Sequence, residues 1–262
     1  MGLARPSRHR RAVREPSAAR QHEGLRRDCL RWRHSVIAFA GTEPTSLPNW
    51  VTDLFVHRTT EGVHAGFLAG LEAVCDEVRA AAGQAAGGLY LAGHSLGGAI
   101  AAVAVRRLLD ERVVAPDRLL GVYTIGMPRP GDGTYARDYD AAGGGILGRR
   151  TYRLIYGDDI VPRVPPAELP FGFRHVGRVL ACPHGGTYAG GMPQGPTLDG
   201  PSGAGAGVLQ DLGAALTAVP QDKDALPPYP SAHPFVSEIV AALPPPLRDH
   251  LPDRYLRALA PQ

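Results

Sequence analysis

Leu89-Tyr-Leu-Ala-Gly-His-Ser-Leu-Gly-Gly-Ala-Ile-Ala-Ala102 decides the fold of this 262-residue chain. Its first residues are a short apolar run of the kind that forms a buried strand, and its last are small residues suited to a helix lying close against that strand. Between them stands Gly93-His-Ser-Leu-Gly97, a G-x-S-x-G. The glycines mark a strand-to-helix turn too tight for side chains, which lifts the Ser95 hydroxyl above the sheet edge. The helix N-terminus behind Ser95 favours negative charge developing there. A glycine-rich turn with an incidental serine would carry the same five letters. The strand before, the helix after and the further Gly98 favour a nucleophile.

Outward from this stretch, residues 35–40 form a short apolar run that stops at Gly41. Residues 64–82 place Phe67, Leu68, Leu71, Val74, Cys75 and Val78 at helical spacing with charges between. Residues 99–109 predict a small-residue helix, and residues 119–125 and 152–156 predict strands. Strands alternating with helices predict an α/β fold, a mainly parallel central sheet with helices on both faces. A last amphipathic segment covers residues 247–259.

Composition narrows the class. Hydrophobic residues are 44% and charged residues 20%, which supports a sizeable core and excludes global disorder. No apolar run approaches the roughly 20 residues that cross a bilayer, so no transmembrane segment is expected. No apolar stretch follows the basic start, so no export signal is visible. The cytoplasm is therefore the default location, and an extracellular one is expected if the natural start lies elsewhere. Cys29, Cys75 and Cys182 are odd in number and widely spaced, a pattern of neither a disulfide framework nor a metal cluster.

The net charge of +3 is unevenly spread, because residues 1–33 hold ten Arg against Glu15, Glu23 and Asp28. That stretch has no helical or strand period and reads as a disordered arm. It nearly lacks the aromatic platforms that stack bases, and no nucleic-acid partner is expected. Residues 185–213 contain ten glycines, with Pro193, Pro196 and Pro201. The expected organisation is thus an arm over 1–33 and one domain over 34–262, with a flexible Gly/Pro-rich insertion at about 185–232.

A serine hydroxyl is a weak nucleophile. It needs a base, and the base needs a carboxylate to orient it. The chain order in such a fold is serine, acid, histidine, with the acid at the end of a later strand. Residues 152–156 are that strand, and Gly157-Asp158-Asp159 follows; the residues alone leave both aspartates open. Downstream histidines are His175, His184, His233 and His250. His175 sits behind a short Pro-rich loop and reads as packed, and His184 and His233 read as surface. His250 precedes the final amphipathic segment, a position able to reach the sheet edge. An oxyanion needs fixed donors. The backbone N–H of Leu96 is one, and the loop at Gly41-Thr42 supplies the other, with the Thr42 hydroxyl beside it. None of this chemistry requires a metal or an organic cofactor.

With these residues placed, the chain resembles the fungal-type (class 3) lipase family of α/β-hydrolases. The resemblance rests on Ile37-Ala-Phe-Ala-Gly-Thr42, Asn49-Trp-Val-Thr-Asp-Leu54, Val63-His-Ala-Gly-Phe67 and Gly93-His-Ser-Leu-Gly-Gly-Ala99. It continues through Tyr123-Thr-Ile-Gly-Met-Pro-Arg-Pro-Gly-Asp132, Gly157-Asp-Asp-Ile-Val-Pro-Arg-Val-Pro-Pro166 and Phe173-Arg-His-Val-Gly177, and ends at Asp249-His250 with Tyr255. It implies an α/β-hydrolase fold with Ser95 as nucleophile. The aspartate directly before Ile-Val-Pro, Asp159, is then the acid, His250 the base, and Thr42 the oxyanion residue.

The resemblance also implies a lid near Leu47, Trp50 and Leu54. The implied function is triacylglycerol lipase-like hydrolysis of lipid esters, with transient contact to a lipid surface. Phospholipids and short soluble esters are the alternative substrates. A catalytically inactive interaction module on the same fold is the alternative of another class. Three features depart from the family. Ala40 stands where an Arg is usual, little ordered chain precedes the first matched strand, and 91 residues separate Asp159 from His250, with the Gly/Pro tract between them.

Overall fold

The computed structural model describes residues 34–41, 58–167, 171–188 and 245–260. The arm over 1–33, Thr42, the expected lid residues Leu47, Trp50 and Leu54, His233 and most of the Gly/Pro-rich tract lie outside these residues.

Five parallel strands build the sheet: β1 (His34–Phe39), β2 (Gly88–His94), β3 (Leu119–Ile125), β5 (Thr151–Tyr156) and β7 (Arg178–Cys182), in the order β1-β2-β3-β5-β7. The sheet buries apolar side chains on both faces. On one of them Ile37, Phe39, Leu89, Leu91 and Val122 meet the helices α1 (Ala65–Glu72), α2 (Cys75–Gln84), α3 (Leu96–Asp110) and α4 (Gly133–Arg150) in one core. Helix α3 lies against β2 and β3 because its sheet-facing turns are Gly97, Gly98, Ala99, Ala101 and Ala102, all buried. Helix α4 is capped by Asp132, whose Oδ1 accepts the N–H groups of Thr134 and Tyr135, both at 2.9 Å. A two-residue antiparallel ribbon, β4 (Gly131–Asp132) with β6 (Phe173–Arg174), lies outside the main sheet.

The opposite face carries helix α6 (Pro252–Leu259), which follows the short α5 (Pro245–Arg248). Tyr255 and Ala258 of α6 pack with Leu154, Tyr156, Leu180, Cys182 and Tyr188. Helices therefore stand on both faces, as the alternation predicts.

Local differences from the sequence reading have physical causes. The helical pattern over 64–82 is two helices, since Val74 leaves helical geometry at φ −131°, ψ 14°. Helix α3 begins at Leu96, directly after the turn, rather than at Ala99. Helix α4 and strand β7 carry no clear period: α4 is broken at Ala142–Gly145, where three consecutive glycines take positive φ. The terminal amphipathic segment is interrupted, and His250 sits in the interruption between α5 and α6.

Candidate active site

The turn between β2 and α3 places Ser95. Its φ of 56° and ψ of −127° lie outside the regions a non-glycine residue normally occupies, a strain characteristic of functional turns. The Ser95 N–H donates to the Ile125 carbonyl at 2.8 Å, fixing the turn to β3. The flanking glycines are required by close approach. A Cβ on Gly93 would stand 2.3 Å from the Gly97 carbonyl carbon, and one on Gly97 would stand 2.3 Å from the Phe39 carbonyl oxygen. Ser95 is buried, and its Oγ has no hydrogen-bond partner among the described residues.

The loop leaving β5 separates the two aspartates. Asp159 is buried and Asp158 faces solvent, its side chain 71% exposed. Asp159 Oδ1 accepts the Val161 N–H at 2.9 Å, and Oδ2 accepts the Tyr255 hydroxyl at 2.5 Å. Tyr255 in turn accepts the Tyr156 N–H at 3.2 Å. Burial, then the Asp159 charge, pushes the Tyr255 hydroxyl well above its ordinary pKa, so it remains a donor. Arg129 steadies the same loop through the carbonyls of Arg163 and Pro165.

His250 Nδ1 lies 2.9 Å from both carboxylate oxygens of Asp159. An ionised carboxylate only accepts, so Nδ1 carries the proton and Nε2 bears the lone pair. Nε2 is buried and has no partner among the described residues. The fold thus gathers Ser95, Asp159 and His250 at the carboxyl ends of β2 and β5 and the α5–α6 junction. It leaves one hydroxyl and one basic nitrogen uncommitted. Such a set can take a proton from Ser95 and hold the resulting imidazolium against a carboxylate. Leu96, the expected oxyanion donor that lies among the described residues, is the first residue of α3, where an N–H precedes the helical ladder.

The other downstream candidates among the described residues, His175 and His184, are engaged elsewhere. His175 is buried and its Nε2 donates to the Pro162 carbonyl at 2.7 Å. Burial, with Arg153 and Arg129 nearby, drives its pKa well down. His184 is largely exposed, with Nδ1 3.1 Å from Asp249 Oδ2.

Four residues around the site escape a reading of the sequence for chemistry. Gly126 adopts φ +58°, and a Cβ there would stand 2.8 Å from Asp159 Oδ2 and 2.9 Å from the His250 ring. Tyr255, Asp249 and His94 each contact Asp159, the acid loop or His250. All four stand inside the motifs quoted above, but nothing in their spacing reveals whom they touch.

This fold and site define an α/β-hydrolase with a serine elbow. The family model for lipase (class 3) matches residues 36–169, just over half of the chain. The chain belongs to the class 3 lipase family. It is similar to secreted mono- and diacylglycerol lipase 1 of Fusarium solani, 36% identical over 138 residues, 48% of this chain and 38% of that protein. It is similar also to a Rhizopus oryzae lipase, 33% identical over 54% of this chain and 36% of that one. The chain spans less than half the length of these curated relatives. Among solved structures, a Rhizomucor miehei lipase propeptide complex matches with TM-score 0.50 and 32% identity, over 58% of this chain and 49% of that one. MDLA from Penicillium cyclopium matches with TM-score 0.52 and 25% identity, over 70% and 68%.

Proposed function

We propose that this protein is a serine ester hydrolase acting on lipid esters in the manner of a triacylglycerol lipase. The observation that carries the reading is the buried Asp159–His250 pair, whose remaining ring nitrogen and the Ser95 hydroxyl are both uncommitted. Ser95 Oγ attacks the ester carbonyl carbon while His250 Nε2 takes its proton. Asp159 keeps Nδ1 protonated and stabilises the imidazolium. The Leu96 N–H, with Thr42 assigned from the family resemblance, receives the oxyanion. Collapse expels the alcohol, which takes the proton from His250 and leaves an acyl-serine. Water, deprotonated by His250, then releases the fatty acid and restores Ser95. Lipid esters are favoured because the similar proteins from Fusarium and Rhizopus are named lipases. No helix among the described residues is long and apolar enough to cross a membrane.

We also infer that the segments on either side of the Gly/Pro-rich tract form one domain. Tyr188, at the start of the tract, donates its N–H to the Ala258 carbonyl after it at 2.8 Å, and both pack in one cluster.

The test is hydrolysis of p-nitrophenyl esters of increasing acyl length by wild type and Ser95→Ala. An active wild type, a dead variant and a preference for long chains or emulsions are expected. Activity confined to short soluble esters would move the assignment to a carboxylesterase. Inactivity of a well-folded wild type would favour a non-catalytic interaction module.

A further inference from the structure

We infer that His94 is a positioning residue for the base, holding His250 against the nucleophile turn through one hydrogen bond and one ring contact. The inference rests on the proposed hydrolase function. His94 is the last residue of β2 and is joined directly to Ser95. Its Nε2 lies 2.8 Å from the main-chain oxygen of His250. A carbonyl only accepts, so Nε2 carries the proton and donates. The two rings face one another with centroids 4.6 Å apart and planes inclined at 35°. On its other side the His94 ring meets the Tyr255 ring, 6.0 Å away and near perpendicular.

The consequence is geometric. Ser95 and His250 stand 155 residues apart in the chain, and the junction bearing His250 has no regular structure of its own. His94 ties the main chain of the base to the residue beside the nucleophile. Neutrality matters as much as the bond. Burial, then the proximity of His250, holds the His94 pKa down to about 3. Asp159 and Tyr255 are the other ionisable groups facing it, and the Asp159 charge acts in the opposite sense. His94 therefore stays neutral while His250 takes and returns a proton, and adds no repulsion to the imidazolium. Glutamine could donate without a ring to stack, and phenylalanine could stack without donating.

The test compares wild type, His94→Gln and His94→Phe in the full chain. Activity is read as kcat and KM on a short p-nitrophenyl ester. The base is read by NMR of the 15N-labelled histidine rings. Loss of the donor is expected to lower kcat by up to about 10²-fold, the cost of displacing a catalytic group by ~1 Å. KM stays near wild type, and His94→Gln recovers much of the loss. In wild type the His250 Nδ1–H signal is expected far downfield and slow to exchange, and His94 is expected as the Nε2–H tautomer at neutral pH. In His94→Phe the His250 signal shifts or broadens although the fold is intact. An unchanged His250 signal and kcat in His94→Phe would overturn the inference. So would equal losses in both variants that merely track their melting temperatures. If wild type hydrolyses no ester, the functional proposal fails, and the His250 signal alone decides the positioning role.

Discussion

The buried carboxylate of Asp249 accepts the Asp158 N–H, with 2.9 Å between Oδ2 and N. Asp158 precedes Asp159 and Asp249 precedes His250, so this bond staples the two loops that carry the proposed acid and base. His184 adds a second contact to the same oxygen. Removing the carboxylate orphans a main-chain donor in a part-buried setting. Asp249→Ala is expected to lose about 2 kcal/mol of stability, within the range for hydrogen bonds to charged groups. Asp249→Asn, which keeps an acceptor oxygen, is expected to lose less. Denaturant midpoints of the two variants decide it; equal midpoints for wild type and Asp249→Ala would contradict the staple.

Tyr255→Phe removes a donor from Asp159 and an acceptor from the Tyr156 N–H while keeping the ring in place. A loss of roughly 1.5–3 kcal/mol is expected for a bond to a charged group. Turnover should fall as well, because the Asp159 carboxylate loses part of what orients it. Urea unfolding and ester turnover measured together check both; a variant as stable and active as wild type would refute the prediction.

Space at Gly126 is set by the Asp159–His250 pair rather than by the turn alone. Gly126→Ala would push a methyl group into both side chains from a backbone with φ +58°. Strain of about 1–3 kcal/mol is expected at such a position. Turnover is expected to fall far more than stability. Circular dichroism that matches wild type, alongside near-complete loss of ester hydrolysis, would fit; retained turnover would not.

Stability should depend on pH through His94 and His175. His175 is buried and His94 half-buried, and both have pKa values below the usual 6.5, chiefly because desolvation disfavours the charged form. The unfolded chain therefore binds protons that the folded chain refuses. Their full contribution is present above pH 6.5 and is lost as pH falls below it, towards about 3 for His94. Each histidine adds a slope of about 1.4 kcal/mol per pH unit in that window. Urea unfolding at pH 7, 6 and 5 is expected to show falling stability, with a shallower fall in His175→Gln, which can still donate to Pro162. An equal slope in that variant would remove His175 from the account.

Much of the architecture is legible in the chain because it depends on local patterns. Short apolar runs and glycine turns mark β1, β2, β3 and β5 within a residue or two. The elbow is legible because its glycines answer contacts made within a few residues and with the neighbouring β1. Helix α4 is hard to read, since its middle is three glycines and half of its core contact is aromatic side chains at its start.

The amino-acid sequence by itself determined the sheet-forming segments, the serine turn and the pair of aspartates after β5. The residues alone left those aspartates open and the family resemblance pointed to Asp159; only the tertiary structure set Asp159 against His250 and fixed the surroundings of that histidine. His94 meets His250 across 156 residues, Tyr255 meets Asp159 across 96, and Asp249 meets Asp158 across 91. Such contacts carry no periodicity and no turn chemistry of their own. They exist because packing α6 on β5 and β7 brings the end of the chain over the carboxyl ends of the strands. There Ser95 Oγ and His250 Nε2, the two atoms that the proposed chemistry needs free, are among the buried polar atoms that find no hydrogen-bond partner.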